Sequence, residues 1–313
     1  MLIKFPWLKR LRSIFKFDLD LGEDKMLSMF KKELVKIDQE MGATESPNIP
    51  WLFRRFPLDA FGKLLLDIPS QYPHIKAYFP SMASDNVQKS WTGSYGETLL
   101  NQSVAFIKTM VYGYSSITGK SIGDASVLDY GCGWGRLIRL IYKLVPINNI
   151  YGVDPWDESI DICQQNGVKG NLAISEYVPH SLPFEQQFDL IFAFSVFTHL
   201  SEKTTQIVLA TLRKYISKDG MLIITIRPKE YWDVHERVYP EQGVVASKMV
   251  KMHDEKGIAF SPHNLPPIDG DVTYGDTSIT LVYFEDKFPQ WKITAVECND
   301  IDPYQIILFL KPA

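Results

Sequence analysis

Residues 127–139 read Val-Leu-Asp-Tyr-Gly-Cys-Gly-Trp-Gly-Arg-Leu-Ile-Arg. An apolar run ends in an acid, glycines follow at alternate positions, and the spacing of a helix begins at once. Glycines at that spacing permit positive φ and close approach of backbone to ligand. The stretch is therefore a strand turning tightly into a helix whose N-terminus faces a ligand. That grammar selects an α/β nucleotide-binding domain, with an ordinary strand–helix turn as the alternative. Gly131, Gly133 and Gly135 form GxGxG, not the GxGxxG dinucleotide fingerprint, because Arg136 stands where the third glycine would be. Asp129, at the strand end, is placed to accept hydrogen bonds from a ligand ammonium or an ordering amide.

A second acid ends the next apolar run, in Ile150-Tyr151-Gly152-Val153-Asp154-Pro155-Trp156. An acid there can accept both ribose hydroxyls of an adenosine. Capping the following helix is the weaker alternative for Asp154, because Asp157 already suits that task. The two loops together are far more specific than either alone.

From residue 126 onward the chain alternates, which predicts a parallel sheet covered on both faces. Strands are expected at 126–130, 149–153, 171–174, 189–194 and 221–226, and helices at 134–144, 158–165 and 202–216. Lys218-Asp219-Gly220 reads as a helix stop. Residues 228–277, rich in Pro, Gly, Tyr and His, read as an irregular cap inserted in the domain. A short helix near 281–287 and a pair of closing strands at 291–298 and 304–310 end it. Ahead of the sheet, residues 1–93 read as a helical N-terminal extension to a domain spanning 94–313. Helices are expected at 24–41 and in 58–69, irregular chain at 72–90, and a helix again from 94. Residues 6–16 space Trp7, Leu8, Leu11, Ile14 and Phe15 on one helical stripe, with Lys9, Arg10, Arg12 and Lys16 off it. A basic amphipathic helix of this kind packs on protein or lies in an anionic membrane surface.

VLDYGCGWGR, YGVDPW, SLPFEQQFDLIFAFSVFTHL and LRKYISKDGMLIITIRP, in this order and spacing, resemble a class I S-adenosylmethionine-dependent methyltransferase of the small-molecule or glycan type. The resemblance runs from about Gln88 to the C-terminus. It implies an α/β three-layer sandwich around a seven-stranded, mostly parallel sheet of order 3-2-1-4-5-7-6, with strand 7 antiparallel. It implies S-adenosyl-L-methionine as cofactor. Asp129, Gly131 and Gly133 would line its methionine part, and Asp154, with Pro155 and Trp156, its ribose and adenine. The usual aspartate ahead of LPF is missing, and Glu176 or backbone would stand in for it. Phe194 and Ser195 would face the transferred methyl. Trp91 and Thr92, in QKSWTG, resemble the segment that closes over the cofactor carboxylate.

A sulfonium methyl is already activated, so transfer needs an in-line nucleophile and exclusion of water. His199, in SVFTHL, is the first candidate for a general base, with His235, His253 and His263 behind it. Tyr130, Trp134, Phe194 and Phe197 offer ring faces to a sulfonium. In the insertion, Tyr231, Trp232, His235, His263 and Tyr274 suggest a polar–aromatic cap over a medium-sized acceptor. No spacing of His, Cys, Asp or Glu matches a common metal site.

The net charge of −4 gives no field that recommends nucleic acid. NPPY- and DPPY-type amino-methylation signatures and a PC-type cysteine nucleophile are absent. Three cysteines, Cys132, Cys163 and Cys298, without CxxC spacing point to a reducing, cytoplasmic setting, peripheral to the inner membrane surface if residues 1–17 bind lipid. No apolar run reaches the ~18–20 residues of a membrane span. The expected function is methyl transfer to an O or N nucleophile of a small molecule or saccharide. The alternatives are a protein side chain or secondary metabolite as acceptor, a non-catalytic S-adenosylmethionine-binding protein, and a nicotinamide oxidoreductase, which the GxGxG spacing disfavours. The oligomeric state is not readable.

Overall fold

The structure is a computed structural model that describes residues 23–299 and 301–313. The amphipathic helix expected at 6–16 lies outside the described residues.

Among the described residues seven α-helices precede the sheet: α1 Glu23–Met29, α2 Lys31–Gly42, α3 Ile49–Leu52, α4 Leu58–Leu66, α5 Pro73–Tyr78, α6 Asp85–Thr92 and α7 Gly96–Thr118. Residues 72–90 are therefore largely helical, not irregular. Pro73 sits in the first turn of α5, where its missing N–H costs nothing, and Ser84 Oγ accepts Val87 N to start α6. The prolines of 47–57 leave room for one four-residue turn, α3, capped by Asn48.

The strands and helices that follow are β1 Val127–Tyr130, α8 Arg136–Ile141, β2 Ile150–Asp154, α9 Asp157–Gln165, β3 Asn171–Ile174, β4 Phe188–Ala193, α10 Glu202–Tyr215 and β5 Ile216–Ile226. Then come α11 Tyr231–Val238, α12 Ala246–Lys256, β6 Ile258–Pro262, β7 Gly275–Ile279, α13 Leu281–Lys287, β8 Trp291–Cys298 and β9 Ile306–Pro312. The main sheet has seven strands in the order β3-β2-β1-β4-β5-β9-β8. Since β6 and β7 form a separate pair, the sheet's own strands run 3-2-1-4-5-7-6. The seventh, β9, is antiparallel to both neighbours, β5 and β8. The remaining pairs are parallel.

Successive residues of β1 serve opposite cores: Val127 belongs to the one that holds Ile107, Ile138 and Phe53, and Leu128 to the one that holds Val208, Leu212 and Phe284. Both faces are thus dry, as the run of apolar residues in each parallel strand requires. The first core also takes in Leu34, Phe61 and Phe79, so the N-terminal helices share the apolar interior of one sheet face. Helix α7 lies so close to β9 that a Cβ on Gly113 would stand 2.0 Å from the Phe309 ring.

Two further elements differ from expectation. Lys218-Asp219-Gly220 is not a stop between helix and strand. β5 begins at Ile216, opposite Phe188, and 217–220 bulge before Met221 meets Leu190. The insertion is not irregular either. It contains α11 and α12, and β6 pairs antiparallel with β7 from Ile258↔Ile279 to Pro262↔Gly275. Trp232, Ala246, Met249 and Ala259 form its own small core. Its helices bury so few apolar positions that periodicity gave no sign of them.

Candidate functional site at the strand ends

The glycine loop is folded over the end of β2. Gly131 N and Cys132 N both donate to Val153 O, at 2.8 and 3.0 Å, and Gly133 N donates to Asp154 Oδ2 at 2.9 Å. The path needs left-handed backbone at Gly131, Gly133 and Gly135, with φ of 80, 53 and 76°. At Gly131 space forbids a side chain as well, because a Cβ would lie 2.4 Å from Val196 Cγ2. The loop after β1 and the loop after β4 are thus in contact through a missing side chain. Two thiols far apart in sequence meet under this loop: Cys163 Sγ and Cys132 Sγ lie 3.3 and 3.8 Å from Gly133 O.

Asp154 departs from expectation. Besides Gly133 N, its carboxylate accepts Trp156 N and Ser159 Oγ, both at 3.0 Å through Oδ1. A carboxylate offers about four acceptor positions. Three are taken inside the protein, so Asp154 has room for one ribose hydroxyl, not two. It also ties down the first turn of α9, whereas Asp157 makes no helix cap. Burial pushes the Asp154 carboxyl up, and its three donors pull it back.

Asp129 contrasts with it. Its carboxylate is 3% exposed, yet among the described residues no group donates a hydrogen bond to it. Burial pushes this carboxyl well above the usual range, the Arg136 charge opposes that, and Asp154 and Cys163 reinforce it. Tyr130 turns into the core behind the loop. Trp156 is exposed, follows the half-buried Pro155, and stacks on Trp91 of α6 with centroids 4.5 Å apart and planes at 29°. Gln88 holds α6 in place, donating to Ala83 O and accepting Gly96 N. The Thr92 hydroxyl proton is spent inside that turn, on Gln88 O at 2.7 Å and Ser94 O at 3.0 Å. Glu176 is exposed beyond β3, while the neighbouring Ser175 Oγ is buried without a partner.

A second constellation gathers beyond β4 and β5. Phe194 packs on Phe106 at 4.6 Å and lies under the Arg136 guanidinium at 5.1 Å. Ser195 takes a positive φ of 61°, held by its N–H on Thr225 Oγ1 and by Gln305 Nε2, 3.1 Å from its Oγ. The hub is Asp276, a residue the sequence did not single out. Its carboxylate accepts from Arg227 Nη1, from Tyr231 Oη at 2.8 Å, from His263 Nε2 at 2.8 Å and from His235 Nε2 at 3.2 Å. Burial alone would raise the Asp276 carboxyl. The His263 hydrogen bond and the Arg227 charge outweigh that and hold it far below the usual range.

His199 sits against this hub in a form unsuited to general base chemistry. Its Nδ1–H donates to Gly275 O at 2.7 Å, so Nε2 carries the lone pair, and Arg227 Nη2 caps that nitrogen at 3.0 Å. Burial first and the Arg227 charge second bring its pKa down to about 3. An imidazole with so little basicity and no free lone pair acts as a support, not as a proton acceptor. Tyr274 stacks on it, 5.0 Å away with planes at 7°.

The remaining substrate candidates divide. Tyr231, His263 and Tyr274 stay partly open to solvent. Trp232 and His235 do not: Trp232 is fully buried with Nε1 on Ser278 Oγ at 2.8 Å, and His235 is 1% exposed. His253 is buried too, with Nδ1 on the same Ser278 hydroxyl. In a stretch without visible periodicity, core aromatics and site aromatics read alike. Arg227 was findable, because it follows β5 at a strand end, as Asp129 and Asp154 do. Among the described residues no group of three or more His, Cys, Asp or Glu is disposed to hold a metal.

Residues 127–220 match a family model described as a methyltransferase domain. Over 140 residues the chain is 26% identical to the malonyl-[acyl-carrier protein] O-methyltransferase of Halalkalibacterium halodurans, a match covering 42% of this chain and 48% of that protein. The chain thus spans about half the length of this curated relative. Among solved structures it is similar to an S-adenosylmethionine-dependent methyltransferase from Clostridium acetobutylicum, with 13% identity, a TM-score of 0.47 and coverage of 78% and 98% of the two chains. A magnesium protoporphyrin IX methyltransferase from Synechocystis with bound S-adenosylhomocysteine gives 14% identity, a TM-score of 0.46 and coverage of 78% and 95%. Residues 127–220 thus match a methyltransferase domain, on a sheet whose glycine loop, strand-end acids and reversed last strand surround that segment.

Proposed function

We propose that the chain transfers the methyl group of S-adenosylmethionine to a nitrogen or oxygen nucleophile of a small molecule or saccharide. The observation that carries this reading is the Asp129 carboxylate, buried at the end of β1 with no donor of its own. Such a group costs several kcal/mol unless something charged completes it. The α-ammonium of the cofactor's methionine part supplies that charge.

The other residues fit the same group. Gly133 leaves the space beside the loop open to backbone approach, Asp154 keeps one acceptor position for a ribose hydroxyl, and Trp156 offers an exposed indole face to adenine. When bound, the cofactor supplies a methyl group already activated on sulfonium sulfur. The chain's own residues then have to orient the acceptor over Phe194 and Ser195 and keep water out. The cap, pinned through Asp276 and Arg227 to the end of β5, supplies the cover.

Calorimetric titration tests the reading. S-adenosylhomocysteine is expected to bind and NAD not to, with Asp129→Asn weakening binding more than tenfold. NAD binding without S-adenosylhomocysteine binding overturns it.

A further inference from the structure

With His199 capped, the acceptor side needs another proton acceptor. Asp302 stands in the turn between β8 and β9. Strand order sets the end of β4 between β1, from which Arg136 follows, and β5, from which Arg227 follows. Asp302 is joined to the Arg136 side of that end through Gln102, whose Nε2 donates to Asp302 Oδ2 and whose Oε1 accepts from Arg136 Nη1. Gln305, three residues on, ties the turn to that place through Ser195 Oγ, and its own Oε1 is buried without a partner.

The carboxylate is held but not consumed. Gln102 Nε2 donates to Asp302 Oδ2 at 2.6 Å, and the Tyr304 amide supports it. The arginines are spent elsewhere. Arg136 Nη1 donates to Gln102 Oε1 at 2.8 Å and Ser103 Oγ at 3.2 Å, and Arg227 is bound to Thr198 O, Asp276 and His199. Asp302 is partly open to solvent, and the ring of Tyr304, two residues on, lies 6.3 Å from that of Tyr231. Burial pushes the Asp302 carboxyl above the ordinary range, with Gln102, Arg136, Arg227 and the Tyr304 amide pulling it back. That direction suits a base at neutral pH.

We propose that Asp302 is the catalytic carboxylate on the acceptor side, and that the acceptor is an amine which binds as its ammonium. This rests on the methyl-transfer reading above. The ammonium gives one N–H proton to the Asp302 carboxylate, and the freed electron pair stays on nitrogen. The N–CH3 bond then forms as the S–CH3 bond breaks, its electrons remaining on sulfur. Asp302 passes the proton to solvent. In sum, an ammonium and S-adenosylmethionine give a methylammonium, S-adenosylhomocysteine and a proton. Before transfer two cations face each other, and the Asp302 charge lowers the cost of bringing them together.

The test uses the full chain, S-adenosylmethionine tritiated in its methyl group, and a cell metabolite extract as acceptor source. The expected product holds its label through alkali and is retained by a cation exchanger at neutral pH. Asp302→Asn is expected to lower transfer at least 30-fold, with S-adenosylhomocysteine affinity by calorimetry within threefold of wild type and Asp302→Glu recovering part of the rate. Label released as methanol by alkali means a carboxylate acceptor, and label in a neutral product means a hydroxyl; either overturns the proposal. So does Asp302→Asn with full transfer, or with lost S-adenosylhomocysteine binding. Failure of the wild-type chain to bind S-adenosylhomocysteine overturns the parent reading instead.

Discussion

Replacing Asp154 by Asn tests whether this acid works mainly by shaping the glycine loop. The carboxylate holds three donors: Gly133 N through Oδ2, and Trp156 N and Ser159 Oγ through Oδ1. An asparagine keeps one oxygen, which serves Trp156 and Ser159 if it takes the Oδ1 place. Its NH2 then points at the Gly133 N–H, donor against donor. Losing one hydrogen bond to a charged acceptor costs roughly 1.5–3 kcal/mol. Removing a buried charge returns part of that, since burial already works against the ionised form. The loop should therefore lose on the order of 2 kcal/mol of its preference for the closed path, about 30-fold in cofactor affinity. Asp154→Ala strands all three donors and should also lower global stability by about 2–4 kcal/mol. Calorimetry with S-adenosylhomocysteine and urea unfolding give the two numbers separately. An Asp154→Asn chain that binds within threefold of wild type would refute the reasoning.

Acid should loosen the cap before it unfolds the sheet. His199 titrates near 3 in the folded chain against an ordinary 6.5, so its contribution is complete above 6.5 and lost as pH falls toward 3, by roughly 1.4 kcal/mol per unit. Asp276, held below its ordinary range, adds a loss of the same sign as pH falls through the carboxylate region. Amide exchange at about pH 4.5 should rise in β6 and β7 well ahead of β1, β4 and β5; uniform exchange would contradict this. Gly131→Ala meets both Val196 and a left-handed backbone, so it should cost about 2–4 kcal/mol in urea melts, with Val196→Ala restoring only the steric part. Trp232→Phe should cost about 1–3 kcal/mol by leaving the buried Ser278 hydroxyl with His253 alone, and it should leave S-adenosylhomocysteine affinity unchanged.

The parts of the fold that sequence revealed are those whose information is local. The β1 turn is encoded in thirteen consecutive residues, and Asp154 in the seven that end β2, so strand, loop and helix could be placed without a partner in view. Direction and company of side chains are long-range properties. Asp276 owes its role to Arg227, Tyr231, His235 and His263, up to 49 positions away in the chain. Nothing in Gly-Asp-Thr-Ser announces that. His199 was visible as a histidine in a suggestive place, but its burial and the Arg227 guanidinium on its Nε2, which together remove it as a base, were not. Trp232 carried an aromatic signal that belongs to the cap's own core. The cap helices hid because their buried faces are small, and Cys132 and Cys163 because a thiol pair between a loop and a helix has no spacing rule.

Co-crystallising the full chain with S-adenosylhomocysteine tests the central claim most directly. The account predicts the ligand at the ends of β1 and β2, its α-ammonium within hydrogen-bond distance of Asp129, one ribose hydroxyl on Asp154 and its sulfur facing Phe194 and Ser195. A ligand seated elsewhere, with the Asp129 carboxylate still without a donor, would contradict it.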